Sequence, residues 1–395
     1  MITVDEALER ILSEVAAVAP SESALMEAIG LVLAESPVSE LDMPPFDKAA
    51  VDGYAVVASD AVAGRSFRVV DEVMAGGQAH GVVSSGQGIR IMTGAPVPPS
   101  AETVIMLETT RAVDDRVEVL RDTPAGRNVC RQGEDIRADQ PLLEAGTVIG
   151  PQHIGLLAGQ GCTRLRCHRR PTIAVLATGD EIVPPEATPT ASQIRNANNA
   201  MLVALARAAG GDASDLGIAA DSAEVLSAHI ARGLEADVLL CSGGVSAGAL
   251  DLVPDTARAL GVERVFHHVA LQPGRPVFYG RRGASHFFGL PGNPVASAVC
   301  FKVLVEPLLR RLAGHRAPLQ RTVRATFEGT FKRTDDRTRY VGVDLVETDG
   351  RWTARLVTTH GPADLSALAR STGLAVLGPN QGPFEDGENV EVLLI

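Results

Sequence analysis

The chain opens on a helical period. Leu8, Ile11, Leu12 and Val15 recur at three- and four-residue spacing, which predicts an amphipathic helix over residues 3–18. Asp5 and Glu6 fall in its first turn, where carboxylates complement the helix dipole. A second short helix is expected over residues 23–34, after Pro20. Over residues 38–137 the period drops to two. SFRVVDEV, GIRIMTGA, TVIMLETT and RVEVLRD are short alternating runs punctuated by Gly, Pro and Asp, which predicts an all-β module. Helical texture returns over residues 147–157 and in PQHIGLLAGQG. The flanking helical segments are therefore expected to form one domain, with the β module inserted between them.

From Pro171 the pattern is strand, loop, helix, repeated. TIAVLAT, DVLLCSGG and HFFGLPGNP are continuous apolar runs, and NNAMLVALARAAG and VASAVCFKVLVEPLLRRL read as helices between and after them. Strands apolar on both faces, alternating with helices, predict a doubly wound α/β domain whose parallel sheet is covered on both sides. After His315 short alternating runs return in TVRATFEGTF, RYVGVDLVE, RWTARLVT and NVEVLLI, predicting a small C-terminal β-barrel or sandwich. The expected division is a helical domain over 1–40 and 138–170, a β module over 41–137, an α/β domain over 171–315 and a β-barrel over 316–395.

Composition narrows the function. With 395 residues and 45% apolar content the chain can bury several cores. A formal net charge of −12 argues against nucleic acid and anionic membranes as general partners, because both demand a basic face. The N-terminus is acidic and lacks the basic and apolar regions of a signal peptide. No apolar run approaches the ~20 residues that span a bilayer. Cys130, Cys162, Cys167, Cys241 and Cys300 are scattered without a C-x-x-C pair, as expected of a reduced, cytoplasmic compartment. Cys162, Cys167 and His168 match no zinc spacing and read as structural.

Candidate chemistry sits where the predicted parallel strands end, since open α/β sheets bind ligands beyond their carboxyl edges. Thr178-Gly179-Asp180-Glu181 offers a tight turn, a hydroxyl and two carboxylates suited to Mg²⁺ beside a phosphate. Ser242-Gly243-Gly244-Val245-Ser246-Ala247-Gly248, followed by Asp251, lets backbone N–H groups converge on an anion. Leu290-Pro291-Gly292-Asn293-Pro294 places an N-cap and a first-turn proline at a helix start, which aims donors at the same rim. Taken singly, these turns also read as a polar strand end, a glycine connector and a helix cap. Together they predict a phosphorylated or nucleotide-like ligand. No G-x-G-x-x-G opens a helix and no G-x-x-x-x-G-K-[ST] occurs, so neither a dinucleotide fold nor a P-loop NTPase is expected.

These motifs, with Pro44-Pro45-Phe46-Asp47, Asp52-Gly53-Tyr54-Ala55, the Arg-Ile-Met-Thr-Gly-Ala run at 90–95 and Gly-Glu-Asp-Ile at 133–136, resemble the molybdopterin molybdenumtransferases from end to end. That family shares its fold with the C-terminal domain of gephyrin. The resemblance implies a homodimer whose cleft lies between the α/β domain of one subunit and N-terminal segments of the other. It implies insertion of molybdate into adenylylated molybdopterin with release of AMP, fed by an upstream molybdopterin adenylyltransferase. The implied catalytic set is Asp52, Thr93, Asp135, Glu181, Asp221 and Asp251, with Glu181 and Asp251 on Mg²⁺. Thr178, Gly179, Asp180, Ser242, Gly243, Gly244, Ser246, Gly248, Pro291, Gly292, Asn293 and Pro294 would hold the molybdopterin. His268, Gln272 and Arg275 would line the molybdate pocket.

The chain also departs from the family pattern. Lys48-Ala49-Ala50-Val51 replaces the usual lead into Asp-Gly-Tyr. His268 and Gln272 stand where Lys or Arg is frequent, while Arg275 keeps the cation of Pro-Gly-Lys-Pro. Gly361-Pro362 and Ser371-Thr372 replace a Gly-Ser and an Ala-Asn pair. The competing readings are an inactive molybdopterin-binding carrier or sensor, a tungsten-inserting homologue and a gephyrin-like scaffold.

Overall fold

A computed structural model describes residues 1–245, 252–332 and 336–395. They fall into two compact units, one of Met1–Glu35, Ala145–Pro151 and Arg164–Ile395, the other of Ser36–Glu144 and Gln152–Thr163.

The first unit is built on a six-stranded sheet in the order Asp212–Ala219, Thr172–Thr178, Val238–Ser242, Ser285–Leu290, Phe278–Arg282, Glu263–His267. The strands from Asp212–Ala219 to Ser285–Leu290 run parallel; the last three in that order are the predicted apolar runs, and Asp212–Ala219 is an addition to them. The other two return antiparallel and make the sheet mixed at that edge. Both faces are covered. Ile11, Leu202, Val299 and Leu308 share a core with Val175, Leu240 and Phe288 on one side. Leu226, Ile230, Val253 and Ala257 pack with Leu176, Leu239 and Phe287 on the other.

The N-terminal helix is shorter than its period suggests, Val4–Leu12, and it starts from a capping box between Thr3 and Glu6. Its end is fixed from outside. Arg281 Nη2 donates to the carbonyls of Arg10, Ile11 and Ser13 at 2.8, 3.2 and 3.0 Å, satisfying groups the helix leaves open.

The helix expected over residues 23–34 does not form. Pro20–Ala24 and Val32–Leu33 are strands on either side of Arg164–His168. Between them lie a 3₁₀ turn, Leu25–Ala28, and Gly30 at φ 77°. Pairing with a strand distant in sequence outcompetes the weak local helix propensity. The long helix after Asn293 is likewise interrupted. Pro294–Cys300 passes through a π turn, Phe301–Val305, into Glu306–Leu312. Pro307, which has no N–H and cannot continue the i→i−4 ladder, sits where the regular helix resumes.

The C-terminal strands close into a barrel in the order Thr338–Thr348, Arg351–Leu356, Thr322–Glu328, Asn389–Leu394, Gly373–Leu377 and back to Thr338–Thr348. Phe327, Val343, Ala375 and Val392 fill it. The short strand Leu271–Gln272 of the α/β domain pairs in parallel with Thr338–Thr348, setting Gln272 opposite Arg339.

The second unit holds the predicted β module as an open sheet: Thr103–Met106, Gly53–Val56, Gln87–Ile91, Ser66–Val73, Arg116–Val119, Thr110–Val113. Gly53 is required there, because a Cβ would run into the carbonyl of Ile105. The helix Pro151–Gly159 lies in this unit from Gln152 onward, whereas Arg164–His168 returns to the first.

Candidate functional site

The ends of Thr172–Thr178, Val238–Ser242 and Ser285–Leu290 are neighbours in the sheet, so the three predicted turns share one rim. They line a single cleft of about 680 Å³. It gathers Thr178, Gly179, Glu181, Asp221, Ser242, Gly243, Gly244 and the Pro291-Gly292-Asn293-Pro294 run. Asp180 is absent from the lining. Its Oδ1 instead accepts the Asp221 N–H at 3.1 Å and ties two strand ends together. Ser246, Gly248 and Asp251 lie outside the described residues.

The glycines are there because nothing larger fits. A Cβ on Gly243, at φ 98°, would stand 2.7 Å from the Thr178 carbonyl. One on Gly244 would stand 2.8 Å from Val253 Cγ2 and 3.0 Å from Thr178 Oγ1. The Gly243 N–H donates to Leu290 O at 3.0 Å, locking the second turn against the third. At Gly179 the intruding group is Glu181 itself, whose Oε2 lies 2.5 Å from where a Cβ would sit. The carboxylate is folded back over its own turn at the mouth of the cleft.

Asn293 occupies the N-cap with Pro294 in the first turn, as expected, but its side chain makes no capping hydrogen bond. It lines the cleft instead, so this helix start does not spend the Asn293 amide on its own N–H groups. One residue the sequence reasoning missed is Asn198. Its Nδ2 donates to Ser242 Oγ and to Gly292 O, both at 2.7 Å, clipping the second turn to the third. The signal available was the polar cluster Asn196-Ala197-Asn198-Asn199 at a helix start, of which Asn196 is the N-cap. Among the described residues Thr178 Oγ1 and Asn198 Oδ1 are buried without a hydrogen-bond partner, so each retains unused bonding capacity at the cleft.

No cluster of three or more His, Cys, Asp or Glu side chains suited to a metal occurs among the described residues. Two carboxylates, Glu181 and Asp221, do face the same cleft. That donor set suits Mg²⁺, which takes one or two carboxylates and fills its octahedron with water and substrate phosphate. It does not suit a closed structural metal site.

A second cleft, about 370 Å³, opens between the α/β domain and the barrel and shares Pro276, Pro291 and Asn293 with the first. Gln272 and Arg275 line it; His268 lines neither cleft. The His268 backbone is left-handed, at φ 72°, and its ring stacks on His267 at 4.0 Å. Burial, then the neighbouring His267 and Arg275, hold its pKa below the usual imidazole value. His267 Nε2 is 3.1 Å from Val245 O, at the end of the glycine turn. Two further residues escaped the sequence reading. Arg337 and Arg339 reach this cleft from the barrel, and Arg337 Nη2 donates to Gln272 Oε1 at 3.0 Å.

In the second unit, the Thr93 N–H and hydroxyl both donate to Asp52 Oδ1 at 2.7 Å. These two bonds, the backbone one first, hold the Asp52 carboxyl below its ordinary pKa. Asp135 sits on a turn whose N–H donates to Met43 O at 3.0 Å. That turn is clasped to the Pro-Pro-Phe-Asp segment, where Asp47 takes Arg131 Nη1 at 2.5 Å and the Gln132 N–H at 2.8 Å.

The doubly wound domain with its glycine-lined cleft is of the molybdopterin-binding class: residues 174–311 match the probable molybdopterin binding domain. Residues 2–161 match the MoeA N-terminal region, domains I and II, and residues 324–395 the MoeA C-terminal region, domain IV. The chain belongs to the MoeA family of molybdenum cofactor biosynthesis. A molybdopterin molybdenumtransferase of Staphylococcus epidermidis is 30% identical over 399 residues, covering all of this chain and 95% of the relative. One of Staphylococcus aureus is 29% identical over 402 residues, with the same coverage. Two crystal structures of the molybdopterin biosynthesis MoeA protein of Pyrococcus horikoshii superpose with TM-scores of 0.86 and 0.87, at 29% and 27% identity. Each covers the whole of this chain, and the chain covers 99% and 100% of them. Among the described residues no helix is long and apolar enough to cross a membrane.

Proposed function

We propose that this chain is a Mg²⁺-dependent molybdopterin molybdenumtransferase that inserts molybdate into adenylylated molybdopterin and releases AMP. The observation that carries this reading is the pair of adjoining clefts. One presents glycine-turn backbone, a helix start and two carboxylates, as a pyrophosphate with Mg²⁺ requires. The other presents arginine, as an oxyanion requires.

The Gly243-Gly244 turn and the helix start at Asn293 would hold the phosphates, and Asn198 keeps those two turns in register. Glu181 and Asp221, with Asp251, would hold Mg²⁺, which when bound neutralises charge on the cleaved linkage. Thr178 Oγ1 and Asn198 Oδ1 supply the remaining polar contacts. Asp52, Thr93 and Asp135 act on the substrate bound by a partner subunit of a homodimer, and the Asp52–Thr93 bonds keep Asp52 ionised for that task. The protein is cytoplasmic, is organised as the four domains expected from sequence, and takes its substrate from an adenylyltransferase.

The test is AMP release from adenylylated molybdopterin, measured with and without molybdate and at limiting Mg²⁺. Release that needs both supports the reading; none under any condition removes it. Mixing inactive Asp52→Ala and Asp251→Ala chains recovers activity if sites are shared, and recovers none, despite subunit exchange, if they are not.

A further inference from the structure

We infer that residues 182–195 form a nucleobase shelf at the larger cleft, where Ile182 and Ile194 seat the base of the substrate's nucleotidyl half by its flat face, Arg195 positions the shelf, and the identity of the base is not read. The inference rests on the function proposed above and deepens it at the first cleft.

The segment is built as a small flap. Ile182–Val183 pairs in parallel with Ile194–Arg195, and Ile182 stands opposite Ile194. Partners in register turn their side chains to the same face, so the two isoleucines lie side by side. Backbone bonds fasten the stem. The Ile182 N–H donates to Gly179 O at 3.1 Å and the Ile194 N–H to Glu181 O at 2.9 Å, which ties the flap to the first turn of the cleft. The Asn196 N–H donates to Val183 O at 2.8 Å, which ties it to the helix that Asn196 caps. The connection between the two strands carries Pro184, Pro185 and Pro189, whose fixed φ restricts its conformations. Arg195 Nε donates to Ala187 O at 3.1 Å and braces that connection.

Ile194 is 59% exposed, yet it lines the cleft that also holds Glu181, Asp221 and the glycine turns. A branched apolar side chain held open on a braced strand, beside a cradle for phosphate, suits the flat apolar face of a ring one ribose away from that phosphate. Position selects which ring of the substrate this is. The two clefts meet at Pro276, Pro291 and Asn293, whereas among the described residues Ile182 and Ile194 line the first cleft alone. The pterin half carries the dithiolene that must meet the oxyanion, so it lies toward the arginines of the second cleft. The pyrophosphate spans the glycine turns, and the base falls at the flap. Aliphatic carbons touch the face of a base, which every base has, and offer nothing to the hydrogen-bonding edge that tells one base from another. The shelf therefore takes guanine nearly as well as adenine.

Calorimetric titration of the full chain with AMP, GMP and ribose 5-phosphate tests this. The wild-type chain should bind AMP at least about tenfold tighter than ribose 5-phosphate, and GMP within about threefold of AMP. Ile194→Ser should weaken both nucleotides about three- to tenfold, the scale of partly burying one branched side chain, and leave ribose 5-phosphate within about twofold. Ile194→Leu should keep wild-type affinity. Arg195→Ala should raise KM for adenylylated molybdopterin with kcat unchanged, as loss of uniform binding does, and Arg195→Lys, which can still donate to Ala187 O, should recover it. AMP affinity unmoved by Ile194→Ser, a loss shared equally by ribose 5-phosphate, or a change of oligomeric state in place of weaker AMP binding overturns the shelf. GMP weaker than AMP by more than about threefold in the wild-type chain overturns its indifference to the base. If the wild-type chain still releases AMP on molybdate addition, the proposed function stands without the shelf. A wild-type chain that neither binds AMP nor releases it removes both.

Discussion

The two clefts of the first unit offer anions opposite kinds of surface. The larger one is built from main chain: Gly243, Gly244, Gly292 and a helix start, held in register by the Asn198 amide. The smaller one carries long side chains, Arg275 from a loop of the α/β domain and Arg337 and Arg339 from the barrel. A backbone site is rigid and indifferent to the identity of exposed neighbours, but it fails if a single Cβ intrudes. A side-chain site tolerates added volume and fails when charge is lost. On the function proposed above, one protein would hold a nucleotide-like phosphate by shape and a small oxyanion by charge, and the two halves would respond to different substitutions.

The largest effect should come from filling the backbone site. Gly243→Val combines a left-handed φ with a Cβ 2.7 Å from the Thr178 carbonyl. A loss of about 2–4 kcal/mol in stability is expected from backbone strain and overpacking, along with AMP binding. Denaturant midpoints and AMP titration measure both, and a normal AMP affinity would show that the turn is not a ligand surface.

Next come the carboxylates. Glu181→Gln and Asp221→Asn should lower AMP release about a hundredfold or more, as loss of a metal contact does, while stability stays within about 0.5 kcal/mol, as at most exposed sites. Raising Mg²⁺ should recover part of the activity of each. Activity independent of Mg²⁺ in the wild-type chain would detach these residues from a metal.

The same contrast explains what the sequence disclosed. The backbone cleft was legible because strand, turn and helix are contiguous: TIAVLAT runs into Thr178-Gly179, and a glycine or a first-turn proline has few other uses at a strand end. The arginine cleft was not. Arg337 just before an alternating strand and Arg339 within it look ordinary until the pairing of Gln272 with Arg339 gives them a neighbour. Asn198 hid in a helix start for the same reason, since its partners Ser242 and Gly292 are distant in the chain. The false helix over residues 23–34 is the converse case. Its partner strand Arg164–His168 lies beyond the whole inserted module, and no local period reports it.

A third effect acts on both clefts at once and so sharpens the contrast. The strands Phe278–Arg282 and Ser285–Leu290 lead into Pro291, which borders each cleft. Between those strands Tyr279 Oη lies 2.8 Å from His286 Nδ1 and takes a bond from Arg281 Nε at 3.0 Å. Burial, and then Arg281, push the His286 pKa down from 6.5 to about 4. The unfolded chain therefore takes up this proton at higher pH than the folded one. The folded state keeps its full stability above about pH 6.5 and loses it progressively toward pH 4, by on the order of 3 kcal/mol in all. Thermal midpoints across that window should fall, and His286→Gln should flatten this part of the slope. AMP and molybdate binding should decline in step.

The smallest effect expected is at His268, and its smallness separates the clefts from their surroundings. Reading the sequence alone, an imidazole in place of a lysine would make molybdate binding strengthen as pH falls through its titration. The structure bears on both premises. His268 lines neither cleft, and its ring is spent stacking on His267 at 4.0 Å. Its pKa is lowered by burial, then by His267 and Arg275, which moves its protonation to lower pH. Protonation would place a cation against Arg275 and against the other imidazole, and the fold opposes it; any cost appears only on acidification below the ordinary imidazole value. Molybdate affinity measured between about pH 7 and 8.5 should therefore be flat with respect to this residue. His268→Asn, which retains a side chain suited to a left-handed backbone, should leave that affinity within twofold. A clear loss of molybdate binding in His268→Asn, with AMP binding intact, would return the imidazole to the anion site and move the boundary of the arginine cleft.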